Sequence, residues 1–413
     1  MNVLPTLIML FYLSGQVLLL PNFCFANDKL TTKTNCGVDQ YNKEFLAEHP
    51  HLKPTENEAY KMLQKRQNIN YKNNSATYTI PMVVHIVHNY GYENISNSAV
   101  TDGINDLNDG MRANTQNNGF IHPDFDSLKT DTKIEFVLAK FDPDGNPTNG
   151  IVRHQSRFFT ENGSKAGMRF EYHWPRNKYL NLYIVRQPFA NSNSSGFATF
   201  PYLVNEPDKA YLDGIVLAYW AFGRHNFLYN EWYYMIAHEV GHWLNLYHIW
   251  GPDEQLCDED DGIEDTPNTI GNTLPERSAC INTSFQCNSL DNIANHMDYA
   301  TPCQAMFTTG QTNRMYTTLN SSVSERSNLH SPENLELTLG ITNEQVCEDD
   351  ILDLSNTIIT ENIAANSTIS TNGIVKATYS INLNAQDSIK LKSGFKVETG
   401  AAFKAYNEPC TNP

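Results

Sequence analysis

His238, Glu239 and His242 form a His-Glu-x-x-His run, and a third histidine, His248, follows six residues after the second. On a helix, residues four apart share one face a turn apart, so His238 and His242 can offer ring nitrogens to one ion from the same side. Imidazole nitrogens suit zinc. Three protein ligands leave a fourth position for water, which is the arrangement of a catalytic rather than a structural site. Glu239 lies beside the pair, placed to take a proton from that water. His248 reaches the same ion only if the helix stops and the chain turns back. The turn must begin at Asn245, and asparagine tolerates a left-handed backbone better than any residue except glycine. Two histidines merely satisfied in an apolar core would explain neither the third histidine nor Met297, which stands downstream in Asn295-His296-Met297-Asp298-Tyr299.

The elements that must carry these residues can be read coarsely. The active-site helix is expected to start near Asn230. Residues 80–88, 134–140, 179–185 and 215–219 read as strands, by their β-branched and aromatic content between turn signals. Residues 98–114 carry Val100, Ile104, Leu107 and Met111 at helical spacing. Beyond His248 the chain is rich in Gly, Pro, Asn and Cys as far as Phe307, so disulfides and metal are its natural braces. His85 and His88, on the first strand, read as structural.

The 413 residues exceed one ordinary domain, and 40% apolar content is ample for a core. A formal charge of −17 gives no footprint for nucleic acid or an anionic membrane. Residues 1–26 read as an export signal, with an apolar core from Leu7 to Leu20 too short for a membrane anchor and Cys24-Phe25-Ala26 before the cut. No later stretch approaches a membrane span. The expected product is a secreted, extracellular protein. Eight cysteines are present, and loss of Cys24 with the signal leaves an odd number. Cys257, Cys280, Cys287 and Cys303 surround the Met297 region, while Cys347 and Cys410 bracket the C-terminal segment as a third pair. Cys36 is left over, in a polar stretch ahead of the first core strand. A thiolate is an excellent zinc ligand, so a lone thiol there suggests a latency device filling the open metal position. Lys65-Arg66 is the obvious basic site for removing that segment.

Several runs together resemble the pappalysin family of metzincin zinc metallopeptidases, and within it the bacterial cytophagalysin-like branch. They are EWYYMIAHEVGHWLNLYHIWG (231–251), DTPN (265–268), NHMDY (295–299) and FTTGQTNRM (307–315). Upstream, IPMVVHIVH, FDPDGNPTNGI, YLNLYIV, GFATFP and DGIVLAYWAFG fall in the expected order, so the likeness covers about 80 to 330. Asn245 departs from the family, where most members have Gly. The resemblance implies an α+β catalytic domain with a mixed sheet and active-site helix above and a loop-rich lower half. It implies zinc held by His238, His242 and His248, with Glu239 as general base and Met297 as the apolar floor beneath the metal. Tyr299 matches the tyrosine that stabilises the oxyanion, and Cys36-Gly37 matches a Cys-Gly that blocks the zinc of the latent form. The family's cysteine pattern implies Cys257–Cys287 and Cys280–Cys303. Its structural calcium corresponds to the acidic loop from Cys257 to Pro267, with Asp260, Asp261, Glu264 and Thr266 as ligands; a merely solvated acidic loop is the alternative. Relatives that favour basic residues after the scissile bond carry an acid in the loop beyond the methionine. Here that loop is Ala300-Thr301-Pro302-Cys303, so no strong basic preference is expected.

The chain thus divides into a signal (1–26), a pro-segment (27–72), a zinc metallopeptidase domain (73–326), a polar linker (327–346) and a small all-β module (347–413). The module shows short alternating runs split by Asn372-Gly373, Lys392-Ser393-Gly394 and Thr399-Gly400, closed by Cys347–Cys410. Its run from Leu391 to Tyr406 resembles β-repeats appended to secreted bacterial proteins. Binding of a surface or glycan and passive stabilisation both fit it. The leading function is a secreted zinc endopeptidase acting on protein or peptide substrates. A binding protein with a decayed peptidase domain is the rival, and the complete ligand set with Glu239 argues against it.

Overall fold

The computed structural model of the chain describes residues 36–52, 77–161, 163–190, 194–224, 234–251, 257–258, 260–271, 280–281 and 285–341, and 351–406 apart from 356–357, 360–362, 366–367, 377–379 and 386–387. The export signal, Lys65-Arg66, Cys347 and Cys410 lie outside them.

The first core strand, β1 (Tyr78–His88), is buried along nearly its whole length. A continuous apolar run with both faces covered is what a central strand of a parallel sheet requires. β1 pairs in parallel with β2 (Ile134–Leu138) and β3 (Ile151–Gln155) end to end along one side, and with β4 (Leu180–Val185) on the other. β6 (Ile215–Ala218) continues in parallel beside β4, and β5 (Gly196–Ala198) closes the order β2-β1-β4-β6-β5 as an antiparallel edge. Alternation along the strands splits the core in two. Ile80, Met82, Val84 and Ile86 face a cluster with Val100, Ile104, Leu107 and Met111 of helix α2 (Asn97–Met111). Val87, Tyr183, Val185 and Val216 face the other way, against Met168 of helix α3 (Lys165–Tyr172) and Phe197 of β5. The four expected strands and the α2 helix are all present, with ends shifted by one to three residues.

Three further helices of eight or more residues lie in the described catalytic half, beside two single turns at Pro123–Asp126 and Arg157–Thr160. The active-site helix α4 (Met235–Trp243) lies in the first of these clusters. Asn230, its expected start, lies outside the described residues. Helix α5 (Thr309–Leu319) begins in a capping box between Thr308 and Gln311. Helix α6 (Pro332–Leu339) corrects the expectation of a linker over 327–346 for its described residues, 327–341. Leu329 and Leu339 are buried, Asn334 donates to Lys178 O at 3.0 Å, and the amides of Lys140 and Phe141 both donate to Thr338 O. The polar residues that suggested a linker are a helix cap at Ser331 and side chains bonded to the domain. Between Gly251 and Phe307 the described residues form one short hairpin, β7 (Phe285–Gln286) with β8 (Ser289–Leu290), and a 3-10 turn at Thr301–Cys303. The disulfides Cys257–Cys287 and Cys280–Cys303 brace this lower half, in the pairing the family likeness implied.

Ahead of the sheet, helix α1 (Val38–Glu48) follows directly on Cys36-Gly37. Its Val38 and Phe45, with Leu52 just beyond it, pack on Phe200, Tyr202, Leu203, Val204 and Leu212.

The described residues of the C-terminal segment hold strands and no helix, and those strands pair only in parallel. They form three three-stranded sheets: β9 (Ile351–Asp353) and β15 (Ser388–Leu391) flank β12 (Thr368–Thr371), β10 (Ile358–Ile359) and β16 (Lys396–Val397) flank β13 (Ile374–Val375), and β11 (Ile363–Ala365) and β17 (Ala402–Tyr406) flank β14 (Ser380–Ala385). Each strand thus stacks on one from the preceding coil, the pattern of a three-sided solenoid. Ile359, Ile369, Val375, Ile381, Leu383 and Ala385 fill its interior. No helix among the described residues is long and apolar enough to cross a membrane.

Candidate metal centre

Every residue of α4 is buried, which fixes the faces its two histidines can present. His238 and His242 bring their Nε2 atoms to 3.1 Å, and His248 Nε2 lies 3.1 Å from that of His242. The turn that returns His248 is made where the sequence required it. Asn245 sits at φ 73°, its amide donates to His242 O at 2.9 Å, and Leu246 N donates to Gly241 O. Leu246 O in turn accepts from His242 Nδ1 at 2.7 Å. Met297, fully buried, lies directly beneath the helix: a β-carbon at Gly241 would collide with its Sδ. Only glycine lets the helix settle on this floor.

The hydrogen bonds decide which ring nitrogens are free. His238 Nδ1 faces His296 O at 2.6 Å, His242 Nδ1 faces Leu246 O, and His248 Nδ1 lies 3.2 Å from Asp39 Oδ2. Carbonyl and carboxylate oxygens only accept, so each Nδ1 carries a proton and each Nε2 is the nitrogen turned to the common centre. Burial holds His238 and His242 well below the usual imidazole range, and therefore neutral. Three Nε2 atoms converge, and those of His238 and His242 keep their lone pairs, an arrangement that a cation completes. The residues fit zinc, for which neutral imidazole is the standard ligand.

Cys36 joins them. Its Sγ and the three histidine nitrogens all lie within 4.8 Å of one another, and this is the one group of three or more His, Cys, Asp or Glu ligand atoms brought together among the described residues. Burial, then the charge of Glu239, pushes the thiol up. A thiolate there therefore needs the same cation. Val38 N donates to Cys36 Sγ at 3.4 Å, and Gly37 N donates to Gly196 O at 2.7 Å, so the chain enters along the free edge of β5. A side chain at Gly37 would strike the Phe189 ring. Glu239 is fully buried, and desolvation drives its carboxyl up to about 8, against the pull of Cys36 and the Ala198 amide. The Tyr299 ring stands 4.7 Å from that of His248 and 4.6 Å from Trp250.

The calcium expectation fares differently. Asp261 is buried and its carboxyl is pushed up to about 7, first by burial. Its Oδ1 accepts from Ile263 N and from Thr266 Oγ1 at 2.7 Å. Asp260 accepts from Gly262 N, and Glu264 is exposed. The buried Arg314 guanidinium donates to the carbonyls of Asp261 and Gly262, which already brings positive charge to the loop. No cluster of converging carboxylates is assembled here among the described residues.

Asp39 is the site residue that sequence reasoning passed over. It lies one helical turn after Cys36, but its meeting with His248 depends on how α1 docks, which no local pattern encodes.

A mixed sheet with an antiparallel edge strand, a histidine-bearing helix, a backward turn to a third histidine and a methionine floor define a zincin of the metzincin type. Comparison with known proteins agrees. Residues 164–320 match the model of the M43 peptidases, described as pregnancy-associated plasma protein-A. An extracellular metalloprotease of Arthroderma otae is 31% identical over 155 residues, 37% of this chain and 54% of the relative. Another, from Arthroderma gypseum, is 28% identical over 273 residues, 64% of this chain and 80% of the relative. The chain thus spans about half the length of the first curated relatives it matches. Among solved structures, a point mutant of Tannerella forsythia promirolysin is 30% identical with a TM-score of 0.60, covering 75% of this chain and 99% of that one. Mature mirolysin of the same organism, in complex with a cleaved peptide, is 33% identical with a TM-score of 0.55 over 64% of this chain and 99% of that one. The chain belongs to the pappalysin family of metallopeptidases.

Proposed function

We propose that this chain is a secreted zinc endopeptidase, made as a zymogen that Cys36 and the helix behind it hold latent. The observation that carries the reading is the convergence of Cys36 Sγ with the three histidine nitrogens in one buried cluster. His238, His242 and His248 would hold the zinc. When bound, zinc lowers the pKa of a water ligand toward neutrality and polarises a carbonyl oxygen. Glu239 would take the proton of the attacking water and return it to the leaving amine. Its burial and its raised affinity for a proton suit a group that must hold one between the two transfers. Tyr299, packed against His248, would donate its hydroxyl to the developing oxyanion. Met297 supplies no chemistry; it sets the height of the helix.

Latency follows from occupancy. Cys36 would take the position that the water needs, and α1 would fill the groove lined by Phe200, Tyr202 and Leu203. Cleavage between residues 52 and 77, with Lys65-Arg66 as the basic site, would release both. The family name and the extracellular fungal relatives support secretion. The loop from Ala300 to Cys303 holds no acid, which supports an apolar or broad first primed pocket. Calcium at Asp260, Asp261, Glu264 and Thr266 rests on the family likeness and on one buried carboxylate. Tighter melting with added calcium, absent in Asp261→Asn, is its test.

The test of the main reading is casein cleavage by the activated full chain with and without a zinc chelator, beside Glu239→Ala and with zinc assayed. Chelator-sensitive cleavage, lost in Glu239→Ala, is expected, and Cys36→Ala should be active without activation. A chain that holds no zinc would sink the reading.

A further inference from the structure

The groove that α1 fills contains a charge whose described partners are all neutral. Arg169, on α3, is fully buried. Its Nη1 donates to Thr199 Oγ1 at 2.9 Å and to Leu212 O at 2.6 Å, and its Nε donates to Lys165 O at 3.3 Å. These three partners belong to the body of the domain and hold the guanidinium in place. The fourth is different: Nη2 donates at 2.9 Å to the hydroxyl of Tyr41, on α1. The Tyr41 ring stacks on Phe197 of β5, with centroids 4.5 Å apart and planes 20° apart. The guanidinium lies 5.2 Å from the Tyr41 centroid and 5.3 Å from that of Phe197.

Tyr41 leaves with α1 on the reading above, on which this inference rests. Its departure uncovers a fixed Nη2 edge beside a flat aromatic face. Both stand along β5, whose outer edge pairs with an incoming chain, as the Gly37–Gly196 bond demonstrates. A peptide extended on that edge turns alternate side chains toward the Phe197 face. A buried cation without a counter-charge is costly, and a carboxylate brought to it forms the stronger, charge-assisted hydrogen bond.

We infer that Arg169 and Phe197 form a side-chain subsite of the activated enzyme that takes a hydrogen-bond acceptor from the substrate, carboxylate ahead of phenol, with Tyr41 as its occupant in the zymogen. The subsite rejects lysine and arginine by like charge. Its ligand class is a peptide bearing Glu, Asp or Tyr at one fixed position from the scissile bond. Arg169 thus acts in specificity and touches none of the reacting atoms.

The experiment gives the zinc-loaded, activated full chain peptides in which each position around the scissile bond is set in turn to Glu, Tyr, Phe and Lys. At one position Glu should exceed Phe and Lys in kcat/KM by roughly tenfold or more, chiefly through KM, with Tyr between. In Arg169→Met that ratio should fall to near one. Because Arg169 also braces the domain and its variant can fail to fold, Tyr41 gives an independent readout with the catalytic domain untouched. Tyr41→Phe should speed activation of the zymogen, and Tyr41→Glu should slow it. A flat profile, or one led by Phe or Lys at every position, in an enzyme that cleaves casein overturns the subsite, as do unchanged activation rates in both Tyr41 variants. Failure of the wild-type chain to cleave casein at all overturns the peptidase reading instead, and the subsite with it.

Discussion

Arg326 grips Asp213 with two parallel hydrogen bonds, Nη1 to Oδ2 at 2.5 Å and Nη2 to Oδ1 at 2.8 Å, deep in the core. Asp213 Oδ1 also accepts from the Trp243 indole at 2.8 Å, and the guanidinium lies 4.0 Å over the Trp243 ring. Trp243 is the last residue of α4 and the neighbour of His242. The pair therefore ties the C-terminal end of the catalytic half to the helix that carries the zinc ligands.

Removing one partner strands the other as a buried charge. Arg326→Met should lower stability by about 3–5 kcal/mol. Adding Asp213→Leu should recover a good part of that loss, since both charges are then gone. Denaturant unfolding of the two variants and the wild type checks this; equal stability of Arg326→Met and wild type would refute it.

At Asn245 the backbone is left-handed and the side chain buried, with neither amide atom hydrogen-bonded. Asn245→Gly should change stability by less than about 1 kcal/mol and keep full zinc binding. Asn245→Val should cost roughly 1–3 kcal/mol and weaken zinc, because a β-branched residue resists this conformation. Zinc titration and melting of both variants decide the point, and a Val variant as good as wild type would break the argument.

His85 and His154 form a pair, Nδ1 to Nε2 at 3.1 Å, with Asn181 on the far side of His85. Burial depresses His85 to about 3 and His154 to about 4. Between those values and the unfolded value of 6.5, the folded chain binds fewer protons than the unfolded one. Stability from the pair is therefore complete above pH about 6.5 and is lost as pH falls toward 3. His85→Gln should flatten this acid slope. Unfolding midpoints measured from pH 7 to pH 4 would show it, and parallel curves for the two proteins would exclude the pair as the cause.

Metal removal should soften the whole catalytic half. Three converging imidazoles gain little from one another, whereas a bound ion adds its binding energy to folding. With zinc at a thousandfold over its dissociation constant the gain is about 4 kcal/mol, a fall in Tm on the order of 10 °C on chelation. Thermal melting with and without chelator measures it. His242→Gln should barely respond.

What could be read without coordinates was local in character. His238 and His242 declared themselves by helical spacing, and Asn245 by the one backbone region that the return of His248 demanded. Cys36 emerged by counting thiols. Arg326–Asp213, Asp39–His248 and Arg169–Tyr41 could not emerge in that way. Each joins segments whose approach is set by packing of the whole domain, and no local pattern pairs one partner with the other. The linker expectation over 327–346 failed for a related reason, since the polarity of Ser331, Asn334 and Thr338 serves caps and bonds inside the domain. In the C-terminal segment, short runs parted by Gly and Asn look the same whether they turn back as hairpins or coil forward.

Coiling forward has its own consequence. Thr368 stacks on Ile351 beneath it and Ser388 on Thr368 above, and the other two walls repeat the same climb. Each turn is laid on the one before, and Lys392 of the third turn also reaches past the second to Asp353 and Ser355 of the first. The module is thus built like a stair, each step resting on the one below, with that lysine as a tie between its outer steps.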